Sequence, residues 1–309
     1  MPEATLAYFK GDFRPFDEAK VSIRCKALNY GLGCFEGIRG YWNKEARQLY
    51  IFRAREHYAR LHHSCRIIHL PLAHTVDELV QLTAELCRRN KHREDVYIRP
   101  IVFSNSELLA PTLEAEDVEF AMYTLPLRDY LDTSKGVTAC VSSWRRVSDN
   151  MIPGRAKPTA AYLNSALACY EAKANGFDEA IFLTNDGYVS EASAEHVFLV
   201  CEGKLITPTA QDDNLDGITR RVILQLARDE LGREAVERRV SRTELYVADE
   251  AFLCGTGAEI TPLVEIDRRK IGVGKLGPVT KELQSVFFKV VRGEVPKYAS
   301  WCTPVYTGK

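Results

Sequence analysis

Apolar and polar positions in the first 125 residues follow two different periods, one typical of helices and one typical of strands. Tyr58, Leu61 and Cys65 recur at spacings of three and four, as on the buried face of a helix. Two short apolar runs separated by Gly11 and Asp12 are typical of a β-hairpin. The pattern predicts hairpins over residues 6–16 and 41–52, helices over residues 53–68 and 75–90, and strands over residues 96–103 and 118–125.

The rest of the chain mixes the same two periods after a polar break. Residues 126–136 follow neither period and are predicted to be an interdomain linker. Beyond them the pattern predicts a strand over residues 137–144, a helix over 160–175, a meander over 180–207, a helix over 219–231, a strand over 235–239, a helix over 241–247, a strand over 250–254 and a last helix over 278–292. We therefore expect two α/β (α+β) domains, a smaller one over residues 1–125 and a larger one over residues 137–309.

Composition narrows the class of partner. The 309 residues are 46% hydrophobic and 27% charged with a net charge of −1, which is ordinary globular composition and favours neither nucleic acid nor an anionic membrane. No apolar run approaches the roughly 18 residues of a membrane span. The nine cysteines fit no zinc-site spacing, so we expect no metal site and reduced thiols. The first residues lack the pattern of a signal peptide, and we expect a cytoplasmic protein that acts on small molecules.

Two motifs suggest other chemistry. The segment Gly272–Gly277 fits the G-x-G-x-x-G pattern of nicotinamide enzymes, which leaves an oxidoreductase open as an alternative. No strand-helix-strand unit follows it, and a turn before the last helix explains the glycines. His57, His62 and His63 share a predicted helix without the H-E-x-x-H spacing of zinc proteases, and we expect them on a solvated face.

Lys157 has the surroundings of a reactive amine. It lies between Ala156 and Pro158, after a loop and ahead of the uncharged start of a helix. Partial burial lowers the proton affinity of a lysine, and its neutral amine can then attack a carbonyl group. The position alone favours an ordinary loop lysine.

Two later segments supply partners for such an amine. Glu191 closes a strand and is followed by small residues, so its carboxylate is suited to keeping a pyridine nitrogen protonated. Thr219 opens a helix whose first N–H groups favour a phosphate. An amine, a carboxylate and a phosphate site in this order indicate pyridoxal 5'-phosphate (PLP) chemistry.

Seven segments together resemble the class IV aminotransferases, the fold-type IV PLP enzymes, and within them the branched-chain amino acid group. They are YGLGCFEGIRGY (residues 30–41), FRAREHYARL (52–61), YIRP (97–100), KPTAAYLNS (157–165), GYVSEASAEHVF (187–198), GITR (217–220) and LCGTGAEITP (253–262). The resemblance covers nearly the whole chain. It implies a two-domain enzyme with the cofactor cleft between the domains, and a homodimer or higher homo-oligomer.

The resemblance also implies roles for single residues toward the cofactor. Lys157 matches the lysine that bonds to the cofactor, Glu191 the carboxylate on the pyridine nitrogen, and Tyr162 the tyrosine at the phenolic oxygen. The residues that match the phosphate site are Arg60, Ile218, Thr219 and Thr256.

A second set of residues matches the substrate site of the family. Tyr97 and the backbone of Thr256, Gly257 and Ala258 match the site of the α-carboxylate. Arg99 matches the arginine that meets the distal carboxylate of glutamate. The residues that match the apolar side-chain pocket are Tyr30, Phe35, Tyr130 and Tyr162.

Three segments depart from the family pattern. Glu195 and His196 stand where an asparagine usually follows the glutamate, and Gly257 stands where alanine is common. Residues 103–112 (FSNSELLAPT) differ from the loop expected after YIRP, a loop that helps to form the substrate pocket. This last difference leaves the substrate range open.

The implied reaction is amino transfer between an L-branched-chain amino acid (leucine, isoleucine or valine) and 2-oxoglutarate. Freed Lys157 would carry the proton as general base and acid. Alternatives with the same fold stay open at this point. They are a D-amino acid or (R)-amine aminotransferase and an aminodeoxychorismate lyase.

Overall fold

The computed structural model describes residues 5–113, 115–127 and 133–306. The chain divides into two compact units, each with its own sheet. The first takes in Met1–Arg128, Ala156–Ala160 and Lys289–Lys309, and the second takes in Asp129–Arg155 and Ala161–Phe288. Both combine helices with a sheet, which confirms the predicted mixed class.

The elements follow one another in an irregular alternation. The strands are β1 (Leu6–Phe9), β2 (Asp12–Pro15), β3 (Gly33–Phe35), β4 (Ile38–Asn43), β5 (Gln48–Phe52), β6 (Val96–Ser104), β7 (Val118–Pro126), β8 (Val137–Arg145), β9 (Glu179–Leu183), β10 (Val189–Ala192), β11 (His196–Cys201), β12 (Lys204–Thr207), β13 (Ala235–Glu237), β14 (Glu250–Gly255), β15 (Glu259–Ile266), β16 (Arg269–Lys270) and β17 (Cys302–Pro304). The helices are α1 (Lys26–Tyr30), α2 (Ala54–Ile67), α3 (Val76–Arg89), α4 (Tyr162–Ala174), α5 (Ile218–Asp229) and α6 (Pro278–Val291).

The first unit is built on an eight-stranded sheet. Its order is β17-β5-β4-β6-β7-β1-β2, with β3 also pairing β6, and every described pair is antiparallel. Apolar side chains of α2 and α3, among them Leu61 and Leu79, pack with Ile98 of β6 in one buried core. Thr75 caps α3 in a capping box with Glu78, as its place before the helical pattern predicts.

The second unit is built on a nine-stranded mixed sheet. Its order is β10-β9-β8-β15-β14-β11-β12-β13, with β16 pairing β15. The pairs β8–β9, β8–β15 and β12–β13 are parallel, and the other described pairs are antiparallel. The four strands of the predicted meander form as β9 to β12, but the meander itself is wrong. β9 pairs with β10 and β11 pairs with β12, whereas β8, β15 and β14 lie between these two hairpins in the sheet. Residues 241–247, predicted to form a helix, contain the short 3-10 helix Arg242–Tyr246.

The sequence-based division into residues 1–125, 126–136 and 137–309 differs from these units in two places. Ala156–Ala160 belongs to the first unit because Pro158 bridges to Cys34. The C-terminal residues belong there because β17 pairs with β5. Residues 128–132 of the predicted linker lie outside the described residues, so the linker stays a prediction.

Candidate active site

The backbone around Lys157 is fixed at several points within the first unit. Its carbonyl accepts a hydrogen bond from Phe35 N (3.2 Å), and its N–H donates to Ser64 Oγ (3.1 Å). Thr159 Oγ1 donates to the carbonyl of Gly31 at 2.7 Å. A segment that sequence reasoning treats as a loop is therefore held against β3 and α2 on both sides of the lysine.

Two cations share the ring of Phe35. Lys157 Nζ lies 5.3 Å from the ring centroid, and Arg99 Cζ lies 4.3 Å from it. Arg99 Nη2 also donates to Tyr97 Oη at 2.8 Å. Cations are attracted to the electron-rich face of an aromatic ring within about 6 Å. Four residues predicted for the site thus form one chain of contacts.

Arg60 lies in a second buried cluster of the first unit. Its Nε donates to Glu36 Oε1 (2.7 Å) and its Nη2 to Glu36 Oε2 (2.8 Å). His57 Nδ1 lies 2.7 Å from Glu36 Oε2. The exposed fractions of Glu36, His57 and Arg60 are 0%, 3% and 8%. The prediction of a solvated histidine face is wrong for His57, because this carboxylate draws it inside, whereas His63 is exposed.

Glu191 lies in the second unit and is paired with an arginine that the sequence did not single out. Arg146 Nη2 lies 2.8 Å from Glu191 Oε1, and both side chains are nearly buried, at 11% and 5% exposed. The backbone N–H of Leu215 donates to Glu191 Oε2 at 3.4 Å. Arg146 follows β8 in a loop without a motif, so only the fold shows its partner. The ion pair favours the charged carboxylate that a protonated pyridine nitrogen requires.

The departure at Glu195 and His196 alters the surroundings of Glu191. His196 Nδ1 lies 3.6 Å from Glu191 Oε2. Burial raises the pKa of Glu195 well above its usual range, and the nearby charge of Glu179 raises it further. The raised pKa favours the neutral form of the Glu195 carboxyl beside Glu191.

The start of α5 fits a phosphate site. Ile218 and Thr219 form its first turn after Gly217, and no side chain of the described residues caps that turn. A Cβ atom on Gly217 would stand 2.1 Å from His196 Nε2, so a larger residue there would displace the His196 ring. Uncapped N–H groups at a helix N-terminus, with the positive end of the helix dipole, attract anions.

The predicted carboxylate site is a turn between β14 and β15. Thr256 and Gly257 are half-buried and Ala258 is buried. Thr261 Oγ1 donates to the carbonyl of Ala258 at 2.7 Å, which fixes the end of the turn. This anchoring orients the backbone N–H groups that the resemblance assigns to the substrate.

Two of the remaining predicted pocket residues lie at helix ends. Tyr30 ends α1 and is 37% exposed, while Tyr162 begins α4 and is half-buried. Tyr130 lies outside the described residues, so its role stays a prediction.

The atypical segment over residues 103–112 is fastened by a buried lysine that the sequence did not single out. Lys26 Nζ donates to Thr112 Oγ1 at 2.9 Å and is fully buried. Leu108 and Leu109 on the same segment are 62% and 82% exposed.

The glycine motif at residues 272–277 is a turn ahead of α6. The carboxylate of Glu250 accepts hydrogen bonds from Val279 N (2.9 Å) and Thr280 N (2.8 Å). The helix end that a dinucleotide would need is thus occupied by a side chain of the protein, which argues against the nicotinamide alternative. Among the described residues there is also no group of three or more metal-ligating side chains and no helix that could span a membrane.

Taken within each unit, the donor sets fit PLP. The first unit supplies an anchored amine and a buried arginine, and the second supplies a buried carboxylate and an uncapped helix start. The carboxylate of Glu191 matches the positive charge of a protonated pyridine ring, and the guanidinium of Arg60 matches the negative charge of a phosphate.

Comparisons with known proteins agree with this chemistry. The family model described as amino-transferase class IV matches residues 33–266. A probable branched-chain-amino-acid aminotransferase of Aquifex aeolicus is 50% identical over 301 residues, which is 97% of each chain. The crystal structure of a branched-chain aminotransferase from Thermoproteus uzoniensis with norvaline has a TM-score of 0.94 at 42% identity, covering 98% of this chain and 100% of that one. That of Thermobaculum terrenum in its PLP form also has a TM-score of 0.94, at 40% identity, with 99% and 100% covered.

Proposed function

The chain belongs to the class IV aminotransferase family, and we propose that it transfers the amino group between L-branched-chain amino acids and 2-oxoglutarate. Its cofactor is PLP. The observation that carries the proposal is the pair of cations on Phe35, because it sets an apolar ring and the guanidinium of Arg99 beside the amine of Lys157. One pocket with both features suits an aliphatic side chain in one half-reaction and a distal carboxylate in the other.

We propose that the residues predicted for the cofactor hold PLP. The guanidinium of Arg60 and the first-turn N–H groups of Ile218 and Thr219 bind the phosphate, together with the hydroxyl of Thr256. Tyr162 donates a hydrogen bond to the phenolic oxygen. This division of roles is supported by the burial of Arg60 and the uncapped start of α5.

The chemistry divides between cofactor and protein. When bound, PLP supplies an aldehyde that captures amines and a protonated ring that withdraws electrons from the substrate Cα. Glu191 keeps the proton on the pyridine nitrogen. Lys157 Nζ would accept the proton from the substrate Cα as general base and deliver it to the C4′ carbon of the cofactor as general acid. The hydrogen bonds of its backbone to Ser64 and Phe35 support this role, because they limit where the amine can reach.

Substrate orientation is assigned to groups at two points. Tyr97 and the backbone of the turn at Thr256, Gly257 and Ala258 bind the α-carboxylate. Arg99 binds the distal carboxylate of glutamate. The resemblance assigns the apolar pocket to Tyr30, Phe35 and Tyr162, and also to Tyr130, which lies outside the described residues.

We propose that the protein is a cytoplasmic homodimer or a higher homo-oligomer. The described cysteines are all free, which fits a reducing compartment. Several large apolar side chains of the first unit are exposed, including Ile23 (82%), Leu28 (65%) and Leu109 (82%), which is typical of an interface.

A half-reaction screen tests the proposed substrate class. The PLP-loaded enzyme is mixed with single amines, and loss of the cofactor's absorption band is followed. L-leucine, L-isoleucine, L-valine and L-glutamate are expected to react much faster than D-alanine or an (R)-amine. Faster reaction with D-alanine or an (R)-amine would overturn the proposal. Release of pyruvate from aminodeoxychorismate without an oxo acid acceptor would point to the lyase.

Substitution of Arg99 separates the two halves of the reaction. Arg99→Leu is expected to lower kcat/KM for glutamate and 2-oxoglutarate by roughly tenfold to more than a hundredfold, because a charge-assisted hydrogen bond of about 1.5–3 kcal/mol is lost. The value for L-leucine should stay nearly unchanged. Steady-state kinetics with both donors provide the measurement.

The matched control is Arg89→Leu. Arg89 Cζ lies 4.3 Å from the ring of Phe13, the same distance as Arg99 from Phe35, but outside the proposed site. Its loss should leave both substrates unaffected. Equal losses for leucine and glutamate in Arg99→Leu would place Arg99 at the α-carboxylate or in the scaffold.

A further inference from the structure

Glu36 lies at a break in the sheet of the first unit. The strands β3 and β4 both pair with β6, and the two residues between them, Glu36 and Gly37, face Pro100 and its neighbours. Pro100 has no N–H, and its carbonyl accepts a hydrogen bond from Glu36 N at 3.0 Å. A Cβ atom on Gly37 would stand 2.3 Å from Tyr97 Oη, so a larger residue there would displace the Tyr97 side chain. The break leaves the side chain of Glu36 completely buried.

A fully buried carboxylate is costly unless its oxygens are satisfied. Those of Glu36 receive two hydrogen bonds from Arg60 and one from His57, at 2.7–2.8 Å. His57 and Arg60 are three residues apart on α2, so their side chains lie on one face of the helix. Two residues of one helix, His57 and Arg60, therefore donate hydrogen bonds to a carboxylate that comes from the break between two strands, β3 and β4.

The protonation states follow from the surroundings. Burial acts to raise the pKa of Glu36, but Arg60 and His57 outweigh it and hold the pKa well below its usual range. Burial lowers the pKa of His57; Glu36 opposes this, while the charges of Arg60 and Lys157 add to the lowering. Glu36 is thus an anion, and neutral His57 donates its Nδ1–H to it.

We infer that Glu36, supported by His57, is a positioning residue for Arg60 in PLP binding. The inference rests on the proposed role of Arg60 at the phosphate. Glu36 holds the Nε and Nη2 edge of the guanidinium in a two-point pair, which fixes its plane and the direction of its remaining N–H groups. His57 in turn fixes the second oxygen of Glu36.

Positioning and charge have opposite effects on the cofactor, and this makes the inference testable. The negative charge of Glu36 repels a phosphate, so its removal alone would tighten PLP binding. Loss of the two-point pair would let the guanidinium of Arg60 rotate, and this would weaken PLP binding. The sign of the change in Kd therefore shows which effect dominates.

The experiment titrates apoenzyme with PLP and, separately, with pyridoxal, which lacks the phosphate. Glu36→Gln keeps the shape of the side chain and removes its charge. We expect the Kd of PLP to rise tenfold or more and that of pyridoxal to change little, because Arg60 acts only on the phosphate. Unchanged or tighter PLP binding, or equal weakening for both ligands, would overturn the inference.

A double-mutant comparison links the effect to Arg60. Arg60→Lys keeps the positive charge but loses the planar set of N–H donors. It is expected to weaken PLP binding by a similar factor. The double variant should then bind PLP no more weakly than Arg60→Lys alone, whereas additive losses would contradict the inference. If Arg60→Lys leaves PLP binding unchanged, the proposed phosphate role of Arg60 fails, and the inference fails with it. If only Glu36→Gln leaves it unchanged, the role of Arg60 stands and the inference alone fails.

Two further variants guard against a general loss of folding. His57→Leu removes one donor to Glu36 and should raise the Kd of PLP several-fold with pyridoxal unaffected, which tests the cluster even where Glu36→Gln does not fold. Glu250→Gln is the matched control, since Glu250 is a buried carboxylate that caps α6. It should lower thermal stability without changing the ratio of the two Kd values. A changed ratio in Glu250→Gln, or none in His57→Leu, would count against the inference.

Discussion

Replacing Lys157 with alanine is expected to abolish multiple turnover while leaving weak binding of PLP through Arg60 and Thr219. The variant loses both the amine that bonds to the cofactor and the group that moves the Cα proton, so the rate should fall by many orders of magnitude. Steady-state assays with L-leucine and 2-oxoglutarate measure the loss, and a PLP titration measures the remaining affinity. Turnover near the wild-type rate would remove Lys157 from the reaction.

Chemical labelling of the wild-type enzyme tests the same assignment without a mutation. Borohydride fixes PLP covalently to the lysine that carries it, and peptide mapping then locates the label. The label is expected on Lys157 only. Lys26 serves as an internal control, because it is fully buried but bonded to Thr112. A label on Lys26 or on any other lysine would contradict the assignment.

Most of the secondary structure follows from local patterns. The capped helix α3 and the hairpins β1–β2 and β4–β5 agree with the predictions because their periodicity and turn residues lie close together in sequence. The missed strands lack such signals. β3 has only three residues, and β15 contains Pro262 and two glutamates. β17 is a strand only because β5 lies beside it.

The candidate site also contains some residues that local sequence patterns reveal and others that they do not. Lys157 and Glu191 stand in segments whose order along the chain indicates their chemistry. The partners of these residues come from segments distant in sequence, and no local pattern marks them. Arg146 reaches Glu191 from a loop 45 residues earlier in the chain. Periodicity on α2 locates the stripe of Tyr58, Leu61 and Cys65, but it cannot show that Glu36 widens the buried face to include His57.

Replacing Glu191 with glutamine is expected to leave folding and PLP binding largely intact but to slow removal of the Cα proton by roughly a hundredfold or more. An ion pair in a partly dry site is worth a few kcal/mol, and each 1.36 kcal/mol is a factor of about ten in rate. The amide cannot hold the proton on the pyridine nitrogen, and Arg146 loses its charged partner. Single-turnover loss of the cofactor band with L-leucine measures this step.

Glu237→Gln provides the comparison that isolates the electronic effect of Glu191. Glu237 Oε2 lies 2.7 Å from Nη2 of Arg220, a buried arginine of the same unit, so this variant also removes a carboxylate from an arginine. It should react at the wild-type rate, because no role at the ring is assigned to it. A rate in Glu191→Gln equal to that of Glu237→Gln would mean that Glu191 only neutralises Arg146. A selective loss in Glu191→Gln would tie its charge to the pyridine nitrogen, since Glu237→Gln likewise removes a carboxylate from a buried arginine.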